Sequence, residues 1–423
     1  MPSYRPVFPA ANEPNYQQAQ CNSWTDRAVQ ATARTPLLPS DSLQSMHPNK
    51  MLNAPAVHDN RARPSPIPKT AKTTGQWKLR KLEPVRSKTA PADQHEDVVD
   101  APIISPRTGS SLVAAPLASA DQSTTQKLYL FGGASPEEGL SNAVYSLAIP
   151  DNDQDTIRWT RIESTTPPPP PRYDHAAVLV PFAPGGSTSV HDATMVVIGG
   201  AGPDGACLND VWAFSLSSHK WSRLATTGPA PSPRTTRGAV AVVESQYLVA
   251  WSGGQDGANA VRDAVVAVLD LVLLTWSTLT TTSPSRPSAR LGHQLVAVSP
   301  LRLVLVGGMD GATVFNDVWA LDIDLSTRTA SWTRTTTYPH AARAGHAATV
   351  LPSGAVLCSG GMTADHQIAA SWIQVDGDRV EIVLTDGPSR LDHAMVAVGD
   401  AVVMVGGMNH EGIYQDVHAA RVE

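Results

Sequence analysis

Six arginines recur along this chain, each just ahead of an apolar stretch: Arg107 (PRTGSS), Arg172 (PRYDHAAVLV), Arg234 (PRTTRGAVAVV), Arg290 (ARLGHQLVAV), Arg343 (ARAGHAATVL) and Arg390 (SRLDHAMVAV). A guanidinium is a planar fork of N–H donors that grips carboxylates or phosphates two bonds at a time. A ring of such groups could receive an acidic or phosphorylated surface. The same group can instead tie together the backbone carbonyls and nearby acids of its own segment. Recurrence in every copy favours that structural use for any single arginine, and leaves the face they share as the binding candidate.

His175, His293, His346 and His393 follow four of these arginines at one fixed offset, where the third copy carries Arg237. Zinc needs donors about 2 Å away in a tetrahedron, and each histidine comes from a different copy. Core packing or hydrogen bonding between copies is the expected use. Gly-Gly pairs recur too, but none sits in a phosphate-loop pattern opening a helix, and the strained GxSxG elbow of a serine nucleophile is absent. Cys21, Cys207 and Cys358 are odd in number, far apart and in no metal or redox spacing, which suits a reducing compartment. No catalytic group, metal or cofactor is expected.

The elements that position these residues follow from the Gly pairs. A β-branched run ends in Gly-Gly six times, at Gly132-Gly133, Gly199-Gly200, Gly253-Gly254, Gly307-Gly308, Gly360-Gly361 and Gly406-Gly407. Upstream of each lies an arginine opening an apolar strand. Downstream come a polar turn and a third strand, as in NAVYSLAI, NDVWAFSL, RDAVVAVL, NDVWALDI and QDVHAARV. A fourth strand is marked by Trp159, Trp221, Trp276 or Trp332. The fifth copy departs: its Trp372 falls on the third strand and its fourth, DRVEIVL, has none. The last copy stops after its third strand, and the missing tryptophan strand stands far upstream, in GQWKLRKLE around Trp77. Sheets apolar on both faces cannot stand alone, and stacking them around a ring hides those faces.

The expectation is therefore an all-β, six-bladed propeller of four-stranded antiparallel blades over residues 75–423, closed by the N-terminal strand. Strand direction alternates within a blade, so the six arginines and the loops after the Gly pairs share one face of the disc. Those loops carry Asp204, Asp256, Asp310, Asn409 and Glu411, and variable loops on a rigid scaffold are where specificity resides. Residues 1–74 are rich in Pro, Ala, Gln, Asn, Ser and Thr without sustained periodicity, and read as disordered. The net charge of -6 conceals an asymmetry: residues 1–90 hold 13 Lys/Arg and 5 Asp/Glu, so +8, leaving -14 elsewhere. Such a basic tail could touch anionic lipid or an acidic partner, or serve as a solvated linker. No apolar run reaches the length of a membrane span, and the first residues lack the layout of a secretory signal.

Taken together, the six in-phase copies resemble the kelch superfamily. RYDHAAVLV, SPRTTRGAV and SRLDHAMVAV followed by VVMVGGMNHEGIYQDVHAARVE are similar to the family of kelch-motif effectors of the late-endosomal Rab GTPase. That resemblance implies binding to an active Rab GTPase in transport between endosomes and the trans-Golgi network, and a non-catalytic, cytoplasmic monomer is the accompanying expectation. Peripheral contact with endosomal membranes and no nucleic-acid partner go with it. A scaffold for ubiquitin-ligase substrate capture or cytoskeletal contact is the alternative. Some kelch proteins are metalloenzymes, and Glu411, Asp416 and His418 look superficially like an iron-binding acid/acid/His run. Asp416 and His418, however, fill slots occupied elsewhere by Asp210 and Trp212.

Overall fold

Runs of Val, Leu and Ala with few charges bury both faces of a strand, and they form antiparallel sheets stacked side by side. The computed structural model describes residues 77–84, 104–116, 126–148, 156–185, 193–255, 259–263, 265–338 and 342–422. Residues 1–74, expected as a disordered tail, and Asp256 lie outside them. All regular structure among the described residues is β, with no helix. β1 (Trp77–Pro84) comes first. The next sheet orders β2 (Ser111–Pro116), β3 (Gln126–Phe131), β4 (Val144–Ala148) and β5 (Trp159–Ile162). A second holds β6 (Ala176–Val180), β7 (Thr194–Ile198), β8 (Val211–Ser215) and β9 (Trp221–Arg223).

The third set is β10 (Val240–Val243), β11 (Tyr247–Trp251), β12 (Val266–Asp270) and β13 (Thr275–Thr281). The fourth is β14 (Gln294–Ser299), β15 (Arg302–Val306), β16 (Asp317–Asp324) and β17 (Thr329–Thr337). Then follow β18 (Ala347–Val350), β19 (Val356–Ser359), β20 (Trp372–Asp376) and β21 (Arg379–Leu384). The last set is β22 (Ala394–Val398), β23 (Ala401–Val405) and β24 (Val417–Val422), with β1 paired against β24 from Trp77↔Val422 to Leu82↔Val417. Neighbouring first strands touch in order, β2 to β6, β10, β14, β18 and β22, and β22 touches β2 again. The arrangement is a propeller.

Apolar clusters fill the gaps between consecutive sheets. Val113, Phe131, Met195 and Phe214 lie between the first two, and Leu112, Leu130, Val403 and Val405 between last and first. Trp159, Trp221, Trp276 and Trp332 are buried plates on their outer strands; removing a ring of that size from a core costs about 3–5 kcal/mol. Trp77 packs 6.3 Å from Trp372, centroid to centroid, so the tryptophan shifted onto β20 meets the one on β1. Outer strands also reach sideways. Thr280 and Thr281 pair in parallel with Thr329 and Ala330, and Glu83 and Pro84 with Thr156 and Ile157.

Candidate functional site

The six recurring arginines lie inside the protein, none more than 5% exposed. Each sends Nη1 to the carbonyl that ends its own sheet's second strand: Gly132, Gly199, Ser252, Gly307, Gly360 and Gly406. Four also fork onto an aspartate that opens the third strand: Arg172 onto Asp210, Arg234 onto Asp263, Arg290 onto Asp317 and Arg390 onto Asp416. That aspartate takes a further bond from the residue two places on, Trp212 or Trp319 through Nε1 and His418 through Nε2. In the first copy Ala143 occupies the aspartate slot, and Glu138 meets Arg107 from the loop at 3.3 Å. In the fifth, Ser371 supplies its carbonyl and hydroxyl to Arg343. These guanidiniums are clamps engaged within their own repeats; Asp210 and Asp416 stood out in the sequence as one shared slot, but their pairing with the arginines did not. The signal was there: Asp precedes the third strand in NDVW, RDAV, NDVW and QDVH.

Glycine makes the clamp possible. Gly200 sits at φ 91°, and a Cβ there would stand 2.7 Å from the Tyr173 carbonyl, a conformation and a space that only glycine accepts. Its N–H donates to the Arg234 carbonyl of the next repeat. The same bond recurs from Gly133 to Arg172, Gly253 to Arg290, Gly308 to Arg343, Gly361 to Arg390 and Gly407 to Arg107. Every clamp is thus bonded to its neighbour, the last to the first.

The four histidines are buried. His175 Nε2 lies 2.8 Å from Ser111 Oγ and His393 Nε2 lies 2.7 Å from Ser359 Oγ, each bond joining one repeat to the next. His293 packs edge-on to Trp251. Burial, aided by the adjacent arginines, pushes His175 and His293 down to about 3 and keeps His346 and His393 well below their ordinary value. Neutral imidazoles serve as core here. Burial likewise pushes the Cys358 thiol up to about 12, so it stays protonated. Glu411 accepts from Tyr414 Oη at 3.2 Å and Asp416 is held by Arg390 and His418, so the acid/acid/His run is engaged in local contacts. Among the described residues no group of three or more His, Cys, Asp and Glu is placed to hold a metal ion.

Arg237 does something the other copies do not. It reaches across to the sixth repeat, donating to the Asp392 carboxylate and the His393 carbonyl. Asp174 shares this centre. Burial, with the Asp392 charge adding and Arg237 opposing, pushes its carboxyl up to about 7. In the unfolded chain Asp174 loses its proton near the ordinary value of 3.8. The folded protein therefore holds more protons between those values, and stability falls as pH rises through that window. Asp174→Asn is expected to raise the thermal midpoint by about 3 °C or more at pH 8, and to change it little at pH 4. An equal shift at both pH values would contradict this assignment.

Between the clamps stand the loops. Asp204 and Asp310 are exposed, and each folds its own loop by accepting backbone N–H groups: Ala206 to Asp204, Ala312 and Thr313 to Asp310. Asn409 is half-buried; its Oδ1 accepts from the backbone of Glu411 and from Tyr414 Oη. Glu411 is exposed. A polar recess of about 450 Å³, lined by Gln255, Asn259, Arg262 and Asp310, opens between the third and fourth repeats. The family profile of the KLHDC2/KLHL20/DRC7 kelch-repeats domain matches residues 119–361.

The chain belongs to the kelch-repeat family.

Among curated kelch relatives, the Rab9 effector protein with kelch motifs of Mus musculus is 34% identical over 192 residues, 45% of each chain. The human protein of that name is 30% identical over 192 residues, 45% of this chain and 46% of its own. Acyl-CoA-binding domain-containing protein 5 of Arabidopsis thaliana is 31% identical over 187 residues, 44% of this chain and 26% of its own. The kelch chain thus spans from about a quarter to about half the length of these relatives. Among its described residues no helix is long and apolar enough to cross a membrane.

Proposed function

We propose that residues 75–423 form six blades closed by β1, and that this ring is a non-catalytic adaptor whose loop face binds another protein. The observation that carries the reading is the burial of the arginine clamps and their engagement within their own repeats. Each guanidinium is spent inside its repeat, so the clamps fix the roots of the loops and leave the loop tips as the exposed, variable surface. Stiff scaffolds with diverse loops favour recognition over chemistry. Asp204, Asp310, Asn409 and Glu411 are the contact candidates, with Asp256 beside them in sequence.

The partner we infer is a GTP-bound Rab GTPase, which agrees with the kelch relatives named as Rab9 effectors. In this reading the protein is a cytoplasmic monomer, recruited to the surface of endosomes and acting in their traffic towards the Golgi. Its basic N-terminal region would add contact with anionic lipid. The test is a pull-down of the full chain with Rab GTPases loaded with GTP or GDP. Retention by the GTP form, reduced about tenfold or more when Asp310→Lys and Glu411→Lys are combined, is the expected result. Equal retention by both nucleotide forms, or none, would move the protein to a scaffold role in another pathway.

A further inference from the structure

Outer strands of a propeller leave a row of backbone N–H and C=O groups facing outward, and such edges invite another strand. At four junctions between repeats this chain lays a segment along the next outer edge. Glu83 and Pro84 lie along Thr156 and Ile157. Thr165 N–H donates to His219 O, and Thr166 Oγ1 bonds both the carbonyl and the N–H of Trp221. Thr227 runs beside Thr275, and Thr280 and Thr281 beside Thr329 and Ala330. In each case an extended segment leaving one outer strand runs along the start of the next.

Among the described residues, the junction between the fourth and fifth repeats shows no such crossing. As far as Tyr338, β17 keeps from crossing over. It stays on its own sheet through a bulge, pairing as far as Thr337↔Asp317, and the Tyr338 N–H turns back to the Asn316 carbonyl. β21 is therefore paired with β20 alone among the described residues. It is also the fourth strand that lacks a tryptophan. Ile382 on it is 37% exposed, one of few large apolar side chains so placed. Arg379 and Glu381 bond each other, while Asp376, Asp378 and Asp386 stand exposed around them.

We propose that the free edge of β21 is a docking site for an extended segment of a partner protein, added as a further strand and bearing lysine or arginine. The covered junctions give the template: a short extended segment, running parallel, fits this position in neighbouring repeats. The surrounding acids, with Arg379 already neutralised by Glu381, select a basic occupant. A second copy of this chain fits poorly, because six strand residues span only about 20 Å and stable protein–protein contacts bury roughly 1,200–2,000 Å². This surface is separate from the loop face.

The test uses the full chain and a fluorescent probe peptide, Lys-Thr-Val-Thr-Val-Lys, with an N-methylated version that cannot complete a ladder as control. The probe is expected to bind, the methylated version not, and hydrogen exchange to slow at residues 379–384 only. Ile382→Lys and, separately, Glu381→Lys should each weaken binding about tenfold with an unchanged thermal midpoint. Glu411→Lys, on the loop face, should leave it unaltered, so failure here is distinguishable from failure of the Rab reading. Absence of binding, undiminished binding by the two β21 variants, or protection elsewhere would overturn the proposal. So would protection of the same residues that grows with protein concentration without peptide, since a second copy would then be the occupant.

Discussion

A chain beginning at residue 84 should melt far below one beginning at residue 71. The shorter chain loses Trp77 and Leu82, which are 6% and 3% exposed, and uncovers the whole edge of β24 from Val417 to Val422. Deleting one large buried side chain costs about 2–5 kcal/mol; here two go together, along with a strand of backbone bonds. Trp372, which packs against Trp77, would lose part of its cover as well. The longer chain keeps every residue of β1. Differential scanning calorimetry of the two truncations decides the matter. Coincident midpoints would show that β1 holds nothing shut, and the proposed ring closure would fall with that result.

Arg172→Met should cost about 3–5 kcal/mol, because it leaves a carboxylate without its counter-charge in a largely water-free place. Arg172 is fully buried and Asp210 only 12% exposed, and the fork between them spans 2.7 and 3.0 Å. The Gly199 carbonyl would lose the same partner. Adding Asp210→Asn should recover part of the loss, since the amide needs no counter-charge and can still accept from Trp212 Nε1. Arg343→Met makes the internal comparison. Its partners include the Ser371 carbonyl and hydroxyl and the Gly360 carbonyl, with no aspartate in the clamp slot, so the loss should be smaller, about 1–3 kcal/mol. Urea unfolding of the three variants reads the difference. Equal losses at positions 172 and 343 would mean that packing of the arginine stem, and not its charge, carries the clamp.

The kelch family and the all-β fold were legible because the signal is repeated: a Gly pair, an arginine and a third strand recur in phase, and chance rarely keeps six copies in register. The clamps were half legible. Even spacing exposed the arginines, but each partner aspartate lies two strands later, 38 residues on for Asp210 and 26 for Asp416, and its pairing is a three-dimensional fact. Glu138 and Ser371, which replace it in two repeats, break the pattern that would have revealed it. Arg237 was visible only as a departure from histidine. Its reach to Asp392, 155 residues away, depends on the two repeats facing each other across the centre. That β21 pairs only with β20 among the described residues was hinted at by a missing tryptophan, yet the cause lies in the preceding repeat, where β17 keeps to its own sheet.

The pairing of β1 with β24 also bears on how the protein comes into being. Trp77 leaves the ribosome hundreds of residues ahead of its partner Val422. At synthesis rates of about 5–20 residues per second, the first strand waits tens of seconds for a mate. During that time a growing crescent exposes raw strand at both ends, an opportunity for chaperones and a hazard in their absence.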